Sequence, residues 1–241
     1  MTPNYDRAAT LAAETLVKRR VSFAPIDPLP ILKSMPGVIV LPFAEVAQLM
    51  GIDRESAVSM FGSENHDAVT NLQRVDGGVR YVVTYNQMLP IALIQRALAR
   101  ELGHIVLGHD GSRPLDVRNQ EAVCFAQHFL CPRALMRGIE DSGVRLTTEV
   151  VGNITGCFER CLAGMRKTPA TRVPADLNRQ IKEQFSAYIK NFVDVQNILK
   201  KDDESMYANF GTFMDGYEES LSVCPNVGAD NIRPRKKGGL P

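Results

Sequence analysis

No stretch of this 241-residue chain approaches the roughly 20 consecutive apolar residues that a membrane-spanning helix needs. The opening run MTPNYDRAATLAAETLVKRR likewise has no signal-peptide core, because acidic and basic residues recur through it. An excess of one charge sign is missing too. With 28 basic against 27 acidic residues the net charge is +1, so no global field attracts nucleic acid or an anionic membrane, and a nucleic-acid role needs a local patch. Cysteines are few and odd in number: Cys124, Cys131, Cys157, Cys161 and Cys224 include no C-x-x-C pair. That argues against a disulfide framework and a zinc ribbon, and it fits a reducing cytosol. Internal repeats and long low-complexity tracts are also lacking.

What is present suffices for one main domain whose core needs no covalent or metal staple. Ala8, Leu11, Ala12, Leu16 and Val17 recur at helical spacing, which predicts an amphipathic helix over Arg7 to Arg19. Proline-rich residues 24 to 30 force an extended turn, with Asp27 placed to cap a short helix over Leu29 to Ser34. The β-branched run Gly37 to Phe43 reads as a strand, and Phe43 to Gly51 as a helix ended by its glycine. Asp67 to Val75 and Val79 to Tyr85 flank Asp76-Gly77-Gly78, a hairpin signal, so about three strands form a small sheet. Further helices are expected over Asn119 to Leu130, Thr147 to Leu162 and Ala175 to Lys201.

The central stretch is Ile91 to Asp110, IALIQRALARELGHIVLGHD, opened by Pro90 and ended by Gly108. Its apolar residues cover so much of the circumference that the helix must be buried. It holds Glu101 and His104, and the next helix holds Glu121. In a gluzincin-type site two histidines and a carboxylate hold zinc, a fourth position takes water, and a glutamate acts as general base. By itself E-x-x-H is common, and a surface glutamate with a partly buried histidine explains it as well.

The wider pattern resembles the ImmA/IrrE family of metallopeptidase-like proteins. That family carries a run of the form A-H-E-L-G-H-h-h-L-x-H, where h is apolar, and here stands Ala99-Arg100-Glu101-Leu102-Gly103-His104-Ile105-Val106-Leu107-Gly108-His109. Its next block, of the form E-A-x-x-F-A-x-x-L-x-x-P, is similar to Glu121 through Pro132. The segment Pro25 to Pro28 and the hairpin entering Tyr85-Asn86 add to the likeness, which spans about residues 7 to 165. It implies that His104 and Glu121 are metal ligands and Glu101 the catalytic glutamate. The first histidine ligand falls on Arg100, whose guanidinium has no lone pair and stays charged.

Substitute ligands are few. His109 lies about 140° round a continued helix from His104, so the two are expected not to face one ion. His128 sits about 10 Å along the axis from Glu121. Cys124, three residues after Glu121, has the best spacing, although a small buried hydrophobe is the plainer reading. A simpler expectation is that Arg100 itself replaces the ion, pairing with Glu121 or Glu101. His66 reads as a solvated loop residue, Arg235-Lys236-Lys237 as a soluble tail, and Cys157 with Cys161 as core.

The expectation is therefore an α+β fold: a mainly helical zincin-like domain over residues 1–165 with a small sheet, a helical extension over 166–201, and a partly disordered basic tail over 202–241. In function it is a peptidase-like protein with a degenerate R-E-L-G-H site that binds a protein partner without cutting it. The resemblance implies a cytoplasmic regulator of mobile elements or transcription, whose partner is a helix-turn-helix repressor. No cofactor is expected, no membrane, and no direct contact with nucleic acid; Zn2+ enters if the site functions. The alternatives are an active zinc endopeptidase that cleaves such a repressor and an accessory regulator acting through the C-terminal helix and tail.

Overall fold

The structure is a computed structural model that describes residues 1–61, 67–76, 78–156 and 170–201. It is α+β: mainly helical, with one three-stranded mixed sheet. His66, Cys157, Cys161, Cys224 and the basic tail lie outside the described residues. The chain divides into two compact units, Met1–Val193 and Asp194–Pro241. In the second, residues 194–201 are helical. No described helix is long and apolar enough to cross a membrane.

Local sequence sets the element boundaries. Helix α1 spans Tyr5–Lys18, starting two residues earlier than its apolar pattern suggests because the Asn4 side chain accepts from the Arg7 amide at its N-terminus. Helix α2, Pro28–Lys33, is capped by Asp27 with proline at its first position. Strand β1 is Val38–Pro42, followed by α3, Phe43–Met50, which stops at Gly51 with φ 65°. A short helix that hydrophobic periodicity does not reveal, α4, covers Arg54–Phe61; Asp53 accepts from the Ser56 amide at its start. Strands β2, Ala68–Val75, and β3, Gly78–Tyr85, form the expected hairpin.

The sheet order is β1-β3-β2, with β1 parallel and β2 antiparallel to β3. Helix α5, Ile91–Val106, packs on β2 and β3 and also meets α1, α2 and the following α6, Leu115–Leu130. It is thus the buried central helix that its apolar circumference demands. Its approach to α6 depends on Gly103, where a Cβ would lie 3.1 Å from Phe125 Cβ and 3.2 Å from the Ala122 carbonyl oxygen. Helix α6 begins four residues ahead of the expected Asn119, directly after Pro114.

Pro132 ends α6 and opens α7, Arg133–Asp141, a second helix absent from the sequence expectation. Helix α8, Thr148–Thr155, starts on a Thr147 cap as expected. It stops at Gly156, φ 66°, and the rest of the expected span, to Leu162, lies outside the described residues. The helix expected over Ala175 to Lys201 is interrupted at Phe185; its first part, Ala175–Gln184, is α9. Ile181, Phe185 and Ile189 are buried in the same core as Leu16, Leu98 and Phe129, so residues 175–193 belong to the first unit.

Candidate functional site

The anticipated residues meet where α5 passes under β2 and α6 crosses α5. Arg100 and Glu101 face the start of β2. The Arg100 guanidinium holds Asp67 with two parallel bonds, Nη2 to Oδ1 at 3.1 Å and Nη1 to Oδ2 at 3.3 Å. It also donates to Glu101 Oε1 from Nε at 3.0 Å and from Nη2 at 2.9 Å, and to the Ala68 carbonyl at 2.8 Å. Arg100 therefore pairs with Glu101, as expected, but its bidentate partner is Asp67 and it makes no bond to Glu121. Neighbouring Glu101 and Asp67 hold the guanidinium charged although burial opposes it.

Glu101 is 3% exposed. Burial pushes its carboxyl above the ordinary glutamate value, against the opposing pull of Arg100. A general base needs a free oxygen turned toward its substrate; here Arg100 holds Oε1 twice and leaves only Oε2 for that role.

Glu121 has a different set of partners. The Asn4 amide donates to Oε1 at 2.6 Å, while Arg113 Nη1, at 2.6 Å, and His109 Nε2, at 3.1 Å, both meet Oε2. Its side chain is fully buried. Burial raises its pKa, yet the three donors outweigh that and leave it lowered, so the carboxylate is ionised.

His109 is where the structure corrects the helical-wheel argument. The α-helix ends at Val106, and Gly108 adopts φ 70°. The Gly108 amide then bonds the Ile105 carbonyl at 3.1 Å, and the His109 amide bonds that of His104 at 3.0 Å. This is the Schellman pattern, and it folds the chain back on itself. His109 Nδ1 thereby comes 2.9 Å from His104 Nδ1. The separation of about 140° assumed a helix that continued past Gly108.

Both histidines are held neutral: burial is the leading cause in each case, and it takes His104 down to about 3. Their neutrality fixes the direction of the hydrogen bonds. Ionised Glu121 can only accept, so His109 donates from Nε2. His109 Nδ1 is then an acceptor, and His104 donates to it from Nδ1, which leaves His104 Nε2 with its lone pair.

These residues do not fit a three-ligand zinc site. His109 uses its two nitrogens in opposite directions, so His104, His109 and Glu121 form a chain rather than a cage around one point. Cys124, the candidate substitute, directs its thiol to the Tyr5 carbonyl at 3.6 Å, and burial pushes its pKa up to about 12. His128 bonds the Thr171 hydroxyl at 2.8 Å, away from Glu121. Among the described residues no group of three His, Cys, Asp or Glu side chains is placed to hold a metal ion.

Beside the clamp is a cavity of about 310 Å³, lined by β2 residues 68–70 and Leu72, by Tyr81, by Arg100, Glu101, His104 and His109, and by residues of α6. Strand β2 is at the end of the sheet order. The Asn86 amide bonds the Asp67 carbonyl at 2.8 Å, so the bonded pairs with β3 fall on odd-numbered β2 residues. Ala68, Thr70 and Leu72 therefore turn their backbone groups away from β3, to an edge on which no further strand pairs among the described residues. Arg100 occupies the Ala68 carbonyl.

No protein family, curated protein or solved structure matches the chain. The likeness to ImmA/IrrE proteins thus rests on the quoted motifs alone.

Three partners in this site had no motif to announce them. Arg113 sits in the loop between the two site-bearing helices, just ahead of Pro114, and its position in that loop is the sole sequence hint. Asp67 and Asn4 act from the start of a strand and the cap of α1, and nothing in their local sequence marks either as a site residue.

Proposed function

We propose that this chain is a non-hydrolysing, peptidase-like regulatory protein that holds an extended segment of a protein partner along the open edge of β2. The observation that carries this reading is the position of Arg100. Its guanidinium takes the place of a metal ligand and holds Glu101 and Asp67 together, so the residue suited to activate water is engaged. Strand addition is a general mode of peptide capture in which main-chain bonds give affinity and flanking pockets give selectivity. Thr70 and Leu72 offer the main-chain groups, and the cavity beside them offers the pocket. A helix-turn-helix repressor is the partner class implied by the resemblance to ImmA/IrrE proteins, and a cytoplasmic setting goes with it.

A second reading is an active zinc endopeptidase acting on the same partner. It draws on the convergence of Glu101, His104 and Glu121 around one buried region and on the free Nε2 of His104. It also requires both Arg100 and Arg113 to leave their carboxylates.

One experiment separates the two. The purified protein is assayed for bound metal and incubated with candidate repressors, with and without chelator. Stable co-elution without cleavage supports the binding protein. Stoichiometric zinc with chelator-sensitive cleavage establishes the enzyme and removes the first reading.

A further inference from the structure

On another face of the first unit, a cavity of about 610 Å³ opens where α7 and α9 meet α1 and α6. Its lining is strongly cationic: Arg133, Arg137, Arg172, Arg179 and Lys182 surround it, against a single carboxylate among the described residues, Asp141. Asp141 is already engaged by Lys182 at 2.7 Å, and Arg179 pairs with Glu183 at 3.3 Å. Among the described residues, no carboxylate forms an ion pair with the side chains of Arg133, Arg137 or Arg172. This concentration of charge is unusual in a chain with a net charge of only +1.

The remainder of the wall is apolar and firmly packed. Ala9, Ala13, Ala134 and Ile181 line it and are each less than 10% exposed. His128, also in the lining, is buried, held neutral by burial with a pKa of about 4, and bonded to the Thr171 hydroxyl. The backbone around the rim is fixed as well, since the Arg172 amide donates to Asp6 at 2.8 Å. Arg133 and Arg137 are one helical turn apart on α7 and point along one face.

We propose that this cavity is a binding site for a small polyphosphorylated ligand of the nucleoside di- or triphosphate class. Unpaired guanidinium groups clustered in a concave site match phosphate oxygens in charge and fork geometry. The volume falls within the ordinary range for small-ligand sites, and the buried apolar wall suits the nucleoside portion rather than a bare anion. A duplex backbone needs an extended surface, whereas these cations surround a concavity. The site is separate from the Arg100 clamp and does not depend on the function proposed for it.

The test is isothermal titration of the full chain with ADP, pyrophosphate, adenosine and a short DNA duplex, at low and moderate salt. ADP is expected to bind, adenosine not, and pyrophosphate more weakly than ADP. Arg133→Ala combined with Arg137→Ala should weaken ADP binding at least about tenfold, since it removes two charge-assisted contacts. Both residues are exposed, so an unchanged thermal melt shows that the fold is intact. The inference is overturned by an absence of ADP binding at about 1 mM, by affinity that the double variant leaves unaltered, by pyrophosphate binding as tightly as ADP, or by binding of the duplex alone.

Discussion

Removing the Arg100 side chain leaves a buried carboxylate without its counter-charge, and the cost of that should depend on pH in a defined direction. In Arg100→Ala, Glu101 loses both arginine bonds, Asp67 loses its bidentate partner and the Ala68 carbonyl loses a donor. Breaking a buried ion pair costs about 3–5 kcal/mol. The side chains of Arg100 and Asp67 are 21% and 24% exposed, which lets water relieve part of the loss and puts the expectation at the low end, about 3 kcal/mol at pH 8. For a chain of this size that lowers Tm by about 6–12 °C.

Glu101 can escape the penalty by taking a proton. Its folded-state pKa is already raised by burial, and without Arg100 it rises further. A carboxyl whose folded pKa exceeds its unfolded value binds more protons folded than unfolded, so stability falls as pH rises through that window. The deficit of Arg100→Ala should therefore shrink to about 1 kcal/mol near pH 5, and Arg100→Ala with Glu101→Gln should recover most of the loss at pH 8. Chemical denaturation of the wild type and these variants at pH 5, 7 and 8 gives the answer. An equal deficit at pH 5 and pH 8, or no recovery from Glu101→Gln, would refute the clamp.

Three further outcomes follow from the same geometry. Gly103→Ala places a methyl group 3.1 Å from Phe125 Cβ and 3.2 Å from the Ala122 carbonyl, so α5 and α6 must separate. Better helix propensity returns about 1 kcal/mol, and a net loss of about 1–2 kcal/mol should appear in denaturant melts. Arg100→His alone should not yield stoichiometric zinc by elemental analysis, because Arg113 still holds Glu121, whereas Arg100→His with Arg113→Ala should. The neutral His128 has a folded pKa of about 4, below the ordinary histidine value of 6.5, so it contributes stability above pH 6.5 that is lost as pH falls toward 4. In His128→Gln the fall in Tm over that range should be shallower, though not flat, because His104 titrates lower still.

How much of this was legible in sequence depended on whether a local rule governed it. The hairpin, the burial of α5 and the Asp27 cap follow from turn, periodicity and capping chemistry that acts over a few residues. Helices α4 and α7 are only 8 and 9 residues long, too short for a periodic pattern to stand out. At the site, the placement of Glu101, His104 and Glu121 was readable because α5 and α6 each present them at fixed spacing. Their partners were not, since Asp67 reaches Arg100 across 33 residues and Asn4 reaches Glu121 across 117. His109 is the instructive case. Gly108 marks the end of the helix in the sequence, and a glycine at that position also predicts a chain reversal, which brings His109 onto His104.

That reversal bears on whether the scaffold has any need of an ion. In a zinc site a divalent cation neutralises the carboxylate ligand and orients both histidines. Here Arg100 neutralises Glu101 and Asp67, Arg113 neutralises Glu121, and each histidine is oriented by the next hydrogen bond in a chain that ends on Glu121. Each carboxylate in the buried cluster thus pairs with an arginine of the chain itself, Glu101 and Asp67 sharing Arg100. To this folded state a metal is expected to add no stability, since a ligand stabilises only the state it binds. The melting temperature of the wild type should therefore be the same with excess EDTA as with added zinc. A rise of several degrees with zinc that Glu121→Gln abolishes would show that the arginines yield to a metal, and that the arrangement described here is only its resting form.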